Sequence, residues 1–107
     1  MKNILRKRPP SHPGALLREI VLAELGITQG ELARRLEISR RSINMILNEK
    51  RPVTTDMAIR FARVLGSTPR FWLSLQQAYD IHVAQQVGER EYRSLTPLAA
   101  SLTGSVR

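Results

Sequence analysis

Apolar residues recur at intervals of three and four along most of the chain, which predicts a series of amphipathic helices. The first helix spans residues 13–25, because Pro13 suits a first helical position and Gly26 ends the apolar run. Four further segments of this kind cover residues 29–36, 40–48, 56–65 and 69–86. The alternating pattern of a strand competes nowhere, so the sequence predicts an all-α fold with five helices.

Hydroxyl side chains that favour helix N-termini stand at the predicted starts of the last four helices, at Thr28, Ser39, Thr55 and Thr68. Glu31 lies three residues after Thr28, which is the spacing of a capping box. Only residues 37–39 separate the second helix from the third. Two short helices joined by such a turn have the dimensions of a helix-turn-helix, whose second helix enters the major groove of DNA.

The predicted third helix has one apolar face and one polar face. At about 100° per residue, Ile43, Ile46 and Leu47 point inward and the opposite side is rich in arginine and asparagine. Arginine matches the O6 and N7 acceptors of guanine, asparagine matches N6 and N7 of adenine, and a methionine suits the methyl group of thymine. The residues that we expect at base edges are Ser39, Arg40, Arg41, Asn44 and Met45.

The ends of these two helices predict a second set of contacts, to the phosphates of DNA. Backbone amides at a helix N-terminus and nearby basic or amide side chains hold phosphates and fix the register of the protein. The residues expected there are Gln29, Thr28, Ser42, Asn48, Lys50 and Arg51. A helical hairpin with a merely solvated polar face is the alternative, and two arginines with two asparagines on one exposed face favour DNA.

The distribution of charge agrees with a nucleic-acid partner. The chain has 107 residues and a net charge of +8, of which residues 28–51 carry +3 and residues 1–12 carry +4. The absence of cysteine excludes a disulfide scaffold and suits the cytosol, and two histidines 70 positions apart provide no basis for a metal site. We therefore expect a soluble cytosolic protein with no cofactor, no membrane segment and no enzymatic activity.

Three regions are expected along the chain: a basic N-terminal arm over residues 1–12, a helix-turn-helix domain over 13–86, and a C-terminal tail over 87–107. Two roles stay open for the arm, a contact with the minor groove or phosphates of DNA and a solubilising tail. The tail is expected to be partly ordered or flexible, with a short helical turn after Thr96 and Pro97.

Large apolar side chains form a stripe along the predicted fifth helix, at Phe71, Trp72, Leu75, Tyr79 and Val83. At helical spacing, such a stripe is more typical of a core or a dimer interface than of stacking on bases. We expect these residues to be buried and consider them candidates for the dimer interface. Of the two histidines, His12 is expected to cap the first helix and His82 to be a partly buried structural residue.

The residues 28–36 (TQGELARRL) and 38–44 (ISRRSIN) resemble the helix-turn-helix of the Cro and phage-repressor type, also called the xenobiotic-response-element type. Their surroundings are more specific. They comprise His12-Pro13-Gly14, Leu17-Arg18-Glu19, Asn48-Glu49-Lys50-Arg51, Thr55-Asp56-Met57-Ala58, Pro69-Arg70-Phe71-Trp72-Leu73, Gln76, Tyr79 and Asp80. Over residues 12–86 this combination is similar to the HigA antitoxins.

The resemblance implies an all-α, repressor-like homodimer that binds a palindromic operator in its own toxin–antitoxin operon. It also implies a small basic partner, the HigB toxin, which is a RelE-like ribosome-dependent endoribonuclease. Gln29 and Asn48 match positions that face phosphates in this family, and Ser39, Arg40, Arg41 and Asn44 match positions that face bases. Glu37 and Glu49 stand where the wider repressor family often has glycine. A stand-alone regulator without a toxin and a module that mainly caps a toxin remain as alternatives.

Overall fold

The computed structural model describes residues 9–98, which are entirely helical apart from the connections between helices. The first helix, α1, runs without a break through Pro13–Leu16, a π-helical turn at Leu17–Val21, and Leu22–Leu25. The remaining helices are α2 (Gln29–Leu36), α3 (Arg40–Leu47), α4 (Thr55–Leu65), α5 (Pro69–Val87) and α6 (Glu89–Arg93). The all-α prediction is confirmed, and α6 adds a sixth helix that the sequence pattern did not predict.

Parts of two expectations lie outside the described residues. The basic side chains of the N-terminal arm all belong to residues 1–8, and the turn expected after Pro97 falls almost wholly beyond residue 98. Within the predicted tail, α6 follows Gly88 directly, and an ion pair between Arg93 and Glu89 links its first and last residues.

Side-chain hydroxyls begin most of the helices, as the sequence predicts. Each accepts a hydrogen bond from the backbone N–H three residues later, over 3.0–3.1 Å at Thr28, Ser39 and Thr68. The expected cap at Thr55 is wrong, because Thr54 accepts the bond from the Met57 N–H and Thr55 is the first residue of α4. Either of two adjacent threonines satisfies the sequence rule, and the extended backbone of Thr54 decides between them.

One core connects α1, the helix-turn-helix pair and α4. Its fully buried side chains include Leu17, Leu32, Leu36, Ile43, Ile46 and Phe61. Burial of each such side chain contributes about 1.5–3 kcal/mol relative to exposure. The sequence-predicted inward face of α3 is confirmed, because Ile43, Ile46 and Leu47 are at most 2% exposed. This core holds α3 with its opposite face free.

The apolar stripe on α5 is only partly buried. Trp72 lies in the core at 2% exposure, and Leu75 and Tyr79 are half-buried. The expectation that Phe71 and Val83 are buried is wrong, because they are 45% and 38% exposed in the single chain. A helix of 19 residues is about 28 Å long, whereas the 11 residues of α4 extend only about 16 Å. The C-terminal half of α5 therefore runs past the core helices.

Candidate nucleic-acid interface

The exposed face of α3 carries most of the side chains expected at base edges. Ser39 starts the helix, and Arg40, Arg41 and Asn44 are exposed, while Met45 is half-buried. The hydroxyl of Ser39 is held in place because its Oγ accepts the hydrogen bond of the Ser42 N–H over 3.0 Å. An eight-residue helix about 12 Å long fits the width of the major groove, and its free face presents guanidinium and amide groups.

A chain of hydrogen bonds joins the loop after α3 to the start of that helix. Arg51 Nη1 donates to the Oγ of Ser42 over 3.2 Å, and Ser39 donates to the same oxygen over 3.0 Å. The sequence predicts phosphate contacts for Ser42 and Arg51 and a base contact for Ser39. The structure brings all three side chains together at the N-terminal end of α3.

The other residues expected at phosphates lie at the ends of the two helices. Thr28 is exposed and Gln29 half-buried at the start of α2, and Lys50 is exposed in the loop after α3. Asn48 is exposed too, and its Nδ2 donates to the carbonyl oxygen of Asn44 over 3.0 Å. Its amide therefore closes the last turn of α3 in the free chain.

Ion pairs divide the arginines of this segment into two groups. Glu31 accepts hydrogen bonds from Arg35 over 2.8 Å and from Arg34 over 2.6 Å, and these arginines lower the pKa of its carboxyl. By contrast, no carboxylate of residues 9–98 lies within 4.0 Å of the cationic groups of Arg40, Arg41, Lys50 and Arg51. Within residues 28–51, the basic side chains without a carboxylate partner in the described part of the chain therefore lie on α3 and in the loop that follows it.

Comparison with known proteins places this arrangement in a family. Residues 17–73 match the helix-turn-helix family model. Antitoxin HigA-1 of Vibrio cholerae is 34% identical over 101 residues, which cover 94% of this chain and 95% of the relative. The chain belongs to the HigA family of helix-turn-helix antitoxins. These proteins are DNA-binding regulators and not enzymes.

Two further proteins are similar to this HigA-family chain over most of its length. Virulence-associated protein I of Dichelobacter nodosus is 41% identical over 78 residues, which cover 73% of this chain and 72% of the relative. The solved structure of the Pseudomonas aeruginosa antitoxin HigA with higBA promoter has a TM-score of 0.80 and 35% identity. That match covers 84% of this chain and 99% of the other.

Among residues 9–98 of the HigA-family chain, no helix has the length and apolar character that a membrane span requires. In the same residues, His, Asp and Glu side chains nowhere form a group of three or more that could hold a metal ion.

Two arginines outside the helix-turn-helix, for which the sequence predicts no role, donate hydrogen bonds to the C-terminal ends of its two helices. Arg60 Nη1 of α4 donates to the carbonyl oxygens of Leu36 over 2.8 Å and of Glu37 over 3.3 Å. Arg18 of α1 donates to the carbonyl oxygen of Leu47 at the end of α3. Cationic side chains are favourable at helix C-termini, where carbonyl groups lack partners. The sequence shows only that these residues are basic, and which helix end each one faces is decided by the fold.

The two glutamates that replace the usual glycines lie beside these arginines. Glu37 and Glu49 adopt left-handed backbone conformations, with φ of 59° and 61°. The sequence predicts this strain, because the turn needs that conformation and a side chain disfavours it. Glu49 gains a partner in return, since Arg18 Nη2 lies 3.3 Å from its carboxylate. Its negative charge is thereby offset in the loop after α3.

His12 caps α1 as expected and is itself almost completely buried. Its Nδ1 accepts a hydrogen bond from the Gly14 N–H over 2.9 Å, and its ring packs edge-on against Tyr79, with 5.1 Å between centroids. Burial lowers the pKa of the imidazole, and the carboxylates of Glu49 and Asp80, which act in the opposite direction, only partly offset that effect. His12 is therefore neutral in the folded chain at pH 7.

We expect acid to weaken the folded chain through His12. The imidazole has an ordinary pKa near 6.5 when unfolded and a lower one when folded, so the unfolded state binds its proton first. The stability that His12 contributes is complete above about pH 6.5 and is lost as the pH falls toward the folded pKa.

His12→Asn keeps a capping side chain but removes the titration. Chemical denaturation between pH 7.5 and 5 should show a smaller loss in this variant than in the wild type. An equal loss in both would contradict the assignment, since His82 and all carboxylates are common to the two proteins.

Proposed function

We propose that this chain is the antitoxin and autoregulatory repressor of a type II toxin–antitoxin operon in the bacterial cytosol. Its DNA-binding role rests above all on the exposed face of α3, which combines Arg41 and Asn44 with an absence of nearby carboxylates within the described residues. The P. aeruginosa relative with the higBA promoter supports a target in the promoter of the chain's own operon.

In this proposal α3 lies in the major groove of the operator. Arg41 and Asn44 project from the middle of its free face. Arg41 supplies two donors to the O6 and N7 of guanine, and Asn44 supplies one donor to N7 and one acceptor to the N6 amino group of adenine. Met45 is half-buried and offers an apolar contact to a thymine methyl, and Ser39 reaches the base edge nearest the helix start. Phosphates on either side are held by Thr28, Gln29, Ser42, Asn48, Lys50 and Arg51.

We further propose that two chains bind one operator. A single α3 offers few base contacts, and two such helices fit successive turns of the major groove when their centres lie about 34 Å apart. The C-terminal half of α5 is the candidate interface, because Val83 and Val87 lie four residues apart with 38% and 84% exposure. Trp72, which the sequence also made a candidate, is already covered by its own chain and offers little area to a partner.

The base-reading role predicts a selective loss of affinity for Arg41→Ala. A cognate duplex is first selected by the wild-type protein from a pool of random sequences. On that duplex the variant should lose roughly 1–3 kcal/mol of binding free energy and tolerate other bases at one position. Arg63→Ala removes an arginine that is also exposed, from the last turn of α4, and should bind as the wild type. If Arg41→Ala weakened binding to every duplex alike, the residue would belong to the phosphate contacts.

The proposed interface predicts that a charge on α5 dissociates the dimer. Val87→Asp should shift the protein from dimer to monomer in sedimentation equilibrium at micromolar concentration, because a carboxylate cannot be buried there without a partner. The loss of the second recognition helix should weaken operator binding at the same concentrations. Val64→Asp is the matched control, since Val64 is an exposed valine on α4. A dimer that survives Val87→Asp would place the interface elsewhere.

The toxin partner is proposed as a small basic protein of the HigB type, an endoribonuclease similar to RelE. The test is expression of the small open reading frame adjacent to this gene, which should arrest growth, and co-expression of this chain, which should restore it. Co-purification of the two proteins should persist when both Arg40 and Arg41 are replaced by alanine, because we expect these arginines to contact DNA and not the toxin. Growth arrest that this chain does not relieve, or no such neighbouring gene, would favour a stand-alone regulator.

A further inference from the structure

Arg40 does not extend along the free face of α3 with the other polar side chains. It is the first residue of α3, and its guanidinium lies back across the turn, over Gly30 in the first turn of α2. A Cβ on residue 30 would overlap the Nη2 atom and lie 2.9 Å from Cζ and 3.2 Å from Nε. The guanidinium of Arg40 thus occupies the space that any other residue at position 30 would fill.

The surroundings of Gly30 link its lack of a side chain to Arg40. Its backbone is not left-handed, unlike that of Gly26 and Gly66, and the three heavy atoms nearest to its missing Cβ all belong to Arg40. Glycine inside a helix is less favourable than alanine, both through its entropy and through its low propensity. What Gly30 provides in return is room for the guanidinium beside α2.

This position changes the part of the DNA that Arg40 faces. In a helix-turn-helix the first helix crosses the sugar-phosphate backbone while the second enters the groove. A guanidinium seated on α2 therefore faces a phosphate, whereas Arg41 and Asn44 on α3 face the base edges. Arg40 is also free for this contact, because none of the carboxylates in residues 9–98 is within 4.0 Å of it and Glu31 already pairs with Arg34 and Arg35.

We propose that Arg40 is a phosphate contact rather than the base contact expected from the helical wheel and from the resemblance to the HigA antitoxins, and that Gly30 is the positioning residue that directs it there. The inference rests on the proposed docking of α3 in the major groove. It assigns one function to the two residues together, since the orientation of the arginine depends on the missing side chain. Gly30 therefore affects DNA binding through Arg40 and not through the fold of α2.

The test compares affinities for the selected cognate duplex and for an unrelated duplex of equal length, over a series of salt concentrations. Arg40→Ala should weaken binding about tenfold on both duplexes. It should also lower the slope of log affinity against log salt by about one. Arg41→Ala serves as the contrast, because its loss should fall mainly on the cognate duplex. A loss confined to the cognate duplex for Arg40→Ala as well would overturn the phosphate assignment.

Gly30→Ala tests the positioning role. Its melting temperature should equal or exceed that of the wild type, yet its affinity and salt slope should fall as they do for Arg40→Ala. Adding Gly30→Ala to Arg40→Ala should then cause no further loss, because the arginine that it displaces is gone. Wild-type affinity for Gly30→Ala would overturn the role of Gly30. If the wild type itself does not discriminate between the two duplexes, base reading by α3 fails and the assignment of Arg40 fails with it.

Discussion

Gly14→Ala should destabilise the domain by about 3 kcal/mol or more and weaken DNA binding in proportion to the unfolded fraction. Gly14 lies in the first turn of α1, where the backbone of that helix passes directly over the last turn of α3. A Cβ there would overlap the carbonyl oxygen of Ile46 and lie 2.9 Å from its carbonyl carbon. Overpacking of this kind costs typically 1–3 kcal/mol, and more where backbone rather than a flexible side chain must move.

The consequences of this clash extend to the recognition helix itself. The same Cβ would lie 3.2 Å from the Nδ1 of His12, so the cap of α1 is crowded as well. Separation of α1 from α3 also removes the hydrogen bond from Arg18 to the carbonyl oxygen of Leu47. Two of the attachments of α3 to the rest of the domain are therefore weakened by one methyl group.

Urea denaturation monitored by circular dichroism measures the expected loss for Gly14→Ala. Gly30→Ala is the matched control, because it is the same substitution in the first turn of a helix but meets only the mobile end of an arginine side chain. We expect a stability for Gly30→Ala close to that of the wild type. Equal stabilities for Gly14→Ala and the wild type would show that α1 does not approach α3 as closely as the structure places it.

The comparison of these glycines shows where sequence reasoning ends. The bounds of α1, α2 and α3 were predicted to within one residue, because local residues such as Thr28, Ser39 and Gly26 decide where those helices start and stop. Position 14 requires glycine because it lies against Ile46 of α3, which is 32 residues away in the sequence. No local sequence pattern can therefore predict this requirement. The sequence does not predict the short helix α6 for a different reason, because the residue before it is Gly88, which has no side chain to cap the helix.

The candidate DNA interface also has some features that the sequence predicts and others that depend on the fold. The exposure of Arg41 and Asn44 followed from helical periodicity, since the apolar residues of α3 fix which face is free. The path of Arg40 over α2 and the bond from Arg51 to Ser42 depend on how two elements approach each other. Gln76 is a further residue whose role depends on a contact between two distant elements. It is buried at 5% exposure, where its Oε1 accepts the Val53 N–H over 2.8 Å and thereby ties the loop after α3 to α5.

Trp72→Ala should cost about 3–5 kcal/mol, which is a large share of the stability of a domain of this size. Trp72 packs edge-on against Phe61 of α4 and against Phe71, with 5.1 Å between ring centroids in both pairs, and its Nε1 donates to the Oγ of Ser67. Truncation to alanine removes these contacts and opens a cavity between α4 and α5. Trp72→Phe retains a ring and loses mainly the hydrogen bond, so its cost should be clearly smaller.

The same variants distinguish a core tryptophan from one at a dimer interface. Phe71→Ala is the matched control, because Phe71 is the adjacent aromatic residue and is 45% exposed, so we expect a loss of only about 1 kcal/mol. Thermal unfolding followed by circular dichroism at several protein concentrations separates the two roles. For a core residue, Trp72→Ala lowers the melting temperature by the same amount at every concentration. For an interface residue, the difference from the wild type would change with concentration, because dimerisation stabilises the folded state by mass action. The 2% exposure of Trp72 in the single chain leads us to expect the constant difference.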